Sequence, residues 1–347
     1  METKKIGILT GGADCPGLNA LIRGVVVKAV SLNYEVIGFR RGWKGLYDGG
    51  DFIQLERDDV EDIHMLGGTI IRTSRFNPFE IPDAPEKVLK NFEKYNAEGL
   101  IVVGGERTLN IAQKFYELKM PIVGVPKTID NNVACTDYTF GFDSAVNTAT
   151  EAIDRLHTTA RSHERVLVVE VMGANAGWMA LHSGIAGGAH LILIPEVPFE
   201  IDEVCKLVKQ RKKEGKEYSL IVIAEGAVPS DLDAHNINLA LNHRIQEVKS
   251  GTGIGDWLAA CIHNKTNIET RSVVLGHIQR GGAPSSFDRI IGTRMGIKAV
   301  ELVNQKKFGM MTALNGTDIV GIPIAEAISN PKKVSLQLYE EIKPFFY

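Results

Sequence analysis

Short, unbroken apolar runs alternate with longer amphipathic segments from one end of this 347-residue chain to the other, and few folds accommodate that pattern. A run buried on both faces reads as near-continuous Val, Ile and Leu, which marks a strand inside a parallel sheet. Lys5–Thr10, Tyr34–Phe39, Gly99–Val103 and Ile122–Val125 read so in the first part. Val166–Val171, Ala189–Ile194, Ser219–Ala224 and Ser272–Leu275 do so in the second. Leu18–Ser31, Leu109–Leu118 and Ser144–Thr159 carry helical periodicity between them. The alternation predicts an α/β fold of mostly parallel sheets flanked by helices. Two strand–loop–helix units, Ile6–Gly24 and Val166–Gly184, resemble each other and favour two related halves. No low-complexity linker separates them, so the halves are expected to pack closely around a cleft.

Composition narrows the function. A formal net charge of −3 gives no basis for a nucleic-acid or membrane surface, and no apolar stretch approaches spanning length. Cys15, Cys135, Cys205 and Cys261 form no Cys-x-x-Cys pair, which argues against a zinc site or a disulfide framework. With no signal peptide before the first strand, a cytoplasmic protein is expected. His64, His182, His190, His235, His243 and His263 lack metal-ligand spacing and read as structural or exposed. Trp43, Trp178 and Trp257 read as core or interface aromatics, and Lys206–Lys216 as a solvated helix face. Gly251-Thr252-Gly253-Ile254-Gly255 follows no clear strand and reads as a flexible turn.

The stretch most informative about chemistry is Pro126-Lys127-Thr128-Ile129-Asp130-Asn131-Asn132, directly after an apolar run. It sets a cation, a hydroxyl and a carboxylate at the C-terminal end of a strand, where open α/β sheets bind ligands. The lysine can hold phosphate as a point charge, and the carboxylate can take a proton from an attacking hydroxyl. Alone, the stretch reads equally well as a polar turn. Gly11–Gly17 opens a helix and could present N–H groups to an anion, although it is neither a P-loop nor a dinucleotide fingerprint. In Gly104-Gly105-Glu106-Arg107-Thr108, Thr108 is placed to cap the next helix and Glu106 could hold Mg²⁺. Arg271, His277 and Arg280, set among glycines, could clamp a phosphate.

Taken together, Gly11–Ala20, Gly67–Phe79, Gly104–Thr108, Pro126–Asn132, Gly141–Asp154, Arg165–Gly177, Glu225 and Glu269–Asp288 resemble the phosphofructokinase family. The resemblance is to the branch that uses ATP or pyrophosphate as donor, and it covers nearly the whole chain. It implies two similar Rossmann-like domains with the active site in the cleft between them. Residues 1–141 with 279–329 would bind the donor, and 142–278 with 330–347 the sugar phosphate. It further implies Mg²⁺-dependent phosphoryl transfer to the 1-hydroxyl of fructose 6-phosphate, a glycolytic step, with Asp130 as general base. Thr128 and Arg75 would join Asp130 in catalysis. Arg165, Met172, Gly173, Glu225, Arg271, His277 and Arg280 would bind the sugar phosphate. Gly12, Ala13, Arg75, Gly105, Arg107, Thr108 and Lys127 would bind the donor, and Glu106 the metal. Arg165 and Arg271 match groups supplied by a neighbouring subunit, which implies a homodimer or homotetramer with shared sites.

Departures from the family pattern bear on the donor. Ala174 stands where the family has an arginine near the reacting centre, and Asn132 where it has a second aspartate. Ala13 replaces a glycine. Arg107 and Arg72 occupy positions usually held by smaller or acidic residues, which places two new cations near the donor. Arg107 would obstruct a nucleotide and favour pyrophosphate, or else bind the α-phosphate of ATP. Val27 and His157 replace basic residues of the family's effector site, so control by its usual effectors is not expected. Two further readings stay open: a kinase for another ketose phosphate such as sedoheptulose 7-phosphate, and a weakly active paralogue that binds sugar phosphate and regulates a partner.

Overall fold

The computed structural model describes residues 4–230 and 253–346. His235, His243, Gly251 and Thr252 lie outside them. The chain divides into two compact units, Met1–Ala145 with Arg280–Lys332, and Val146–Gln279 with Lys333–Tyr347.

The first unit is built on a seven-stranded sheet. In chain order its strands are β1 (Lys4–Thr10), β2 (Tyr34–Phe39), β3 (Phe52–Leu55), β4 (Gly99–Gly104) and β5 (Ile122–Pro126). Three strands of the second unit follow, β6 (Val166–Val171), β7 (Leu191–Leu193) and β8 (Ser219–Ala224), then its β9 (Thr270–Val274). The chain returns to the first sheet with β10 (Met310–Asn315) and β11 (Asp318–Pro323). The seven strands lie in the order β11-β10-β5-β4-β1-β2-β3, parallel except for the two edges. Every residue of β4 and β5 is buried, which is why both read as pure apolar runs. β1 pairs with β2 on one side and β4 on the other, so the connections leave it in opposite directions. In a doubly wound sheet that reversal opens a crevice at the C-terminal ends of the two strands. Here those ends are Thr10 and Gly104.

The second unit carries an all-parallel sheet in the order β7-β8-β6-β9. β7 is shorter than Ala189–Ile194, and β9 starts two residues before Ser272. Gly253-Ile254-Gly255 is no flexible turn, because Ile254 begins a helix that runs to Thr266. Its first N–H groups are received by Glu170, whose Oε2 accepts from Gly255 N–H at 2.7 Å. A side chain at Gly253 would collide with that carboxylate. The Lys-rich helix Ile201–Lys213 is solvated on one face only. Its Arg211 is buried, donating to Ser219 Oγ and Tyr218 O.

Glu170 yields a stability prediction. Burial raises its pKa above the ordinary 4.5; the Gly255 N–H opposes this, and Asp256 and Glu225 add to it. A folded-state pKa above the unfolded one means the native protein binds the proton more readily. Glu170 therefore costs nothing below about 4.5 and progressively destabilises the fold as pH rises through its raised value. Glu170→Gln keeps an acceptor for Gly255 and removes the buried charge. It should melt above wild type, by about 2–4 °C, near pH 8, with the gap closing near pH 5. A gap independent of pH would refute this account.

Candidate active site

The glycine loop after β1 is built from several directions. Gly11 N–H donates to Val103 O at 2.8 Å, and Gly12 N–H to Ser74 O at 2.9 Å. Thr73 Oγ1 returns a bond to Gly12 O at 2.7 Å. Thr108 explains two of the glycines. A Cβ on Gly11 would come within 2.7 Å of its side chain, and one on Gly104 within 2.3 Å. Thr108 is thus a buried contact between two loops, not the helix cap expected. The helix Glu106–Glu117 starts two residues earlier, after an extended Gly105, and places Thr108 inside its first turn.

Lys127 is buried, and its ammonium donates to Ala13 O under the same loop. Burial pushes its pKa below the ordinary lysine value; Cys15, Asp14 and Asp130 oppose this, and the neighbouring Arg280 adds to it. Arg280 reaches the loop as well, with Nη1 3.4 Å from Asp14 O, while its buried Nε has no partner. Cys15 beside them is a packed thiol rather than a nucleophile, since burial raises its pKa to about 12.

In the Pro126–Asn132 stretch, Thr128 Oγ1 accepts the Asp130 N–H at 3.1 Å. Thr139 Oγ1 donates to Thr128 O at 2.7 Å, and Asn131 Oδ1 accepts the Thr139 N–H at 3.1 Å. Thr128 therefore shapes the turn that carries the carboxylate.

These pieces enclose a cavity of about 300 Å³ at the β1/β4 reversal. Gly12, Ala13, Arg75, Gly105, Glu106, Arg107, Thr108, Lys127, Thr128 and Asp130 all line it. It thus collects every donor-side, catalytic and metal residue expected from the sequence. Arg280 lines it too, although the sequence grouped this residue with the sugar-phosphate set. Arg72 is absent from the lining. Its backbone is left-handed (φ 57°), which accounts for the small residues usual there, and its carbonyl accepts from Thr10 Oγ1 at 2.8 Å. Arg107 stands at the rim, paired with Glu80 at 2.9 Å, both largely exposed. Hydrogen bonds from Asn77 and then Arg107 hold the Glu80 carboxyl below its ordinary pKa. Asn132 also lines the cavity, and its buried Oδ1 has no partner.

Sequence reasoning missed the apolar wall. Trp43, Phe76 and Ile111 complete the cavity, and Trp43 is at once a core residue stacked on Phe115 (4.7 Å) and a lining residue. No local signal announces this, because the three come from distant segments.

In the second unit the expected residues fall at two ends of the sheet: Met172, Gly173 and Glu225 follow β6 and β8, whereas Arg165 and Arg271 stand at the start of β6 and β9. Met172 N–H donates to Gln279 Oε1 at 3.2 Å, and Gly173 N–H lies 3.4 Å from Glu225 Oε1. Gly173 adopts φ 137°, and a side chain on Gly226 would strike the Ala174 carbonyl at 1.9 Å. Arg165 and Arg271 both turn to Glu269 Oε1, at 3.5 and 3.2 Å. His277 lies exposed on the short helix Gly276–Arg280. Gln279, fully buried, is the residue here that the sequence reading overlooked.

Among the described residues no group of three His, Cys, Asp or Glu side chains could cage a metal ion, and no helix is long and apolar enough to cross a membrane. Among the described residues none of the four cysteines is in a disulfide.

A profile described as Phosphofructokinase matches residues 5–303. Over 344 residues the chain is 51% identical to the pyrophosphate–fructose 6-phosphate 1-phosphotransferase of Streptomyces coelicolor, covering 99% of each. It is 47% identical over 342 residues to ATP-dependent 6-phosphofructokinase 3 of that organism, covering 97% of this chain and 98% of the other. The solved phosphofructokinase of Saccharomyces cerevisiae matches with a TM-score of 0.82 at 29% identity, over 94% of this chain and 45% of the yeast chain. This chain thus spans about half the length of the yeast one. The pyrophosphate-dependent phosphofructokinase of Marinobacter aquaeolei shares the fold, with a TM-score of 0.80 at 23% identity over 96% and 86% of the two chains. With a family match across most of its length and relatives near half identity end to end, this chain belongs to the phosphofructokinase family.

Proposed function

We propose that this chain is a phosphotransferase that moves a phosphoryl group to the 1-hydroxyl of fructose 6-phosphate, with pyrophosphate as donor. The supporting observation is the single cavity that gathers a carboxylate, an anion-binding loop and several cations where β1 and β4 part. Asp130 takes the proton as the sugar oxygen bonds to phosphorus, and the donor's bridging P–O bond breaks to release phosphate. Arg75 and Arg280 neutralise charge that spreads over the phosphoryl oxygens. Ala174 contributes none of that charge. Lys127 acts chiefly by holding the Ala13 carbonyl, so the loop keeps its shape.

The residues present suit Mg²⁺. Glu106 and Asp130 offer one or two carboxylates in the cavity, and phosphate oxygens and water complete such sites elsewhere. Bound there, the ion would neutralise donor oxygens. Met172, Gly173, Glu225 and His277 form the sugar-phosphate group of the second unit, and Arg165 and Arg271 lie at the other end of its sheet. Arg165 and Arg271 serve a neighbouring subunit in a homodimer or homotetramer, and sedimentation at monomer mass would refute that sharing. Free cysteines and small phosphorylated substrates fit a cytoplasmic, glycolytic role.

Two observations favour pyrophosphate. The cavity is small, near the lower end for ligand pockets, and Arg107 in its lining is held by Glu80. Purified protein should turn over fructose 6-phosphate, Mg²⁺ and pyrophosphate at least about tenfold faster than with ATP, measured as kcat/KM. Faster turnover with ATP would reverse the donor assignment. No turnover with either donor, alongside tight sugar-phosphate binding, would establish a regulatory binder instead. Faster turnover of sedoheptulose 7-phosphate would change the acceptor.

A further inference from the structure

Beyond Asp130 the chain runs through residues 131–138 with no helix or strand, so side chains must fix its course. The last residue of the first unit does much of this. Lys332 Nζ donates to Thr136 O at 3.1 Å and to Asp137 O, while its N–H donates to Asn132 O at 2.9 Å. Asp137 O is also 3.5 Å from Asn131 Nδ2. Asn131 is buried and left-handed (φ 48°), and it directly follows Asp130. A continuous path therefore joins the ammonium to the residue that carries the carboxylate. The Asp137 carboxylate is engaged elsewhere, accepting the Gly316 N–H at 2.7 Å. The ammonium consequently grips carbonyls, with the Tyr138 ring 5.8 Å away. Keeping it there has a cost, since burial lowers the Lys332 pKa to about 8 against the pull of Asp137.

We propose that Lys332 is a positioning residue for phosphoryl transfer, clamping the loop after Asp130 so that its carboxylate stays aimed into the cavity. The proposal rests on the reading of Asp130 as the base. Lys332→Ala leaves the backbone bond to Asn132 in place and removes the ammonium that holds the two carbonyls.

Four proteins test it: Lys332→Ala, Lys332→Arg, Asp130→Asn and the double variant Asp130→Asn/Lys332→Ala. Lys332→Ala should lower kcat by about 10–100-fold, because misplacing a reacting group by about 1 Å costs that order. KM for fructose 6-phosphate should stay within about threefold, and Lys332→Arg should recover most of the rate. In the Asp130→Asn background the same change should alter kcat by less than about twofold, since it acts through the carboxylate already removed. Equal losses in both backgrounds, or wild-type kcat in Lys332→Ala, would overturn the proposal. Wild-type kcat in Asp130→Asn would overturn the base assignment itself, and the clamp's catalytic role with it.

Discussion

Asp130→Asn should lower kcat by about 10²–10⁴-fold while leaving fructose 6-phosphate affinity within a few fold. Asparagine keeps the shape of the side chain and the turn that Thr128 sets through the Asp130 N–H. It cannot accept the proton that the 1-hydroxyl must lose. On the proposed function, sugar-phosphate binding rests on other groups, notably Arg165, Arg271 and His277, so the defect should fall on the chemical step. Steady-state kcat beside calorimetric binding of fructose 6-phosphate separates the two. A variant that keeps kcat within about threefold of wild type would remove Asp130 from the reaction and leave the cavity as a binding site only.

How far the sequence could lead depended on burial. β6 and β8 were legible to the residue, because each is buried on both faces and reads as an apolar run. The edge strands β3 and β11 are half exposed, and β10 and β11 meet at a tight turn around Gly316. Their mixed composition gave no such run. Thr108 was misjudged as a cap because nothing local showed that Gly105 is extended and lets the helix begin at Glu106.

Most of the cavity's residues were legible because loops after parallel strands converge at one edge of a sheet. Partnership was not. The family resemblance suggested that Arg72 and Arg107 both lie near the donor, yet Arg72 is absent from the cavity wall, and Arg107, which lines it, is paired with Glu80. Trp43, Phe76 and Ile111 form a wall only after three distant segments meet.

Arg280 shows the same limit and carries the second large prediction. Its sequence neighbour His277 belongs to the second unit, whereas Arg280 begins the returning segment of the first. There it shares a cavity with Asp130 and lies close enough to Lys127 to lower that ammonium's pKa. Two neighbouring cations, one with a buried Nε that none of the described residues satisfies, form an arrangement that an anion would complete. On the proposed function, with no arginine at Ala174, Arg280 would neutralise the transferring phosphoryl group. Arg280→Met should therefore lower kcat/KM by about 10²–10³-fold, the usual loss on removing one preorganised donor. Arg280→Lys should recover little, because a point charge cannot reproduce the planar fork. Without ligand, the methionine variant should melt no lower than wild type, since the group removed was a half-buried, poorly paired charge. Inorganic phosphate should raise the melting temperature of the wild-type protein but not of this variant. Retention of both activity and that rise would show that the anion sits elsewhere, and Arg280 would then be only the brace that holds the Asp14 carbonyl.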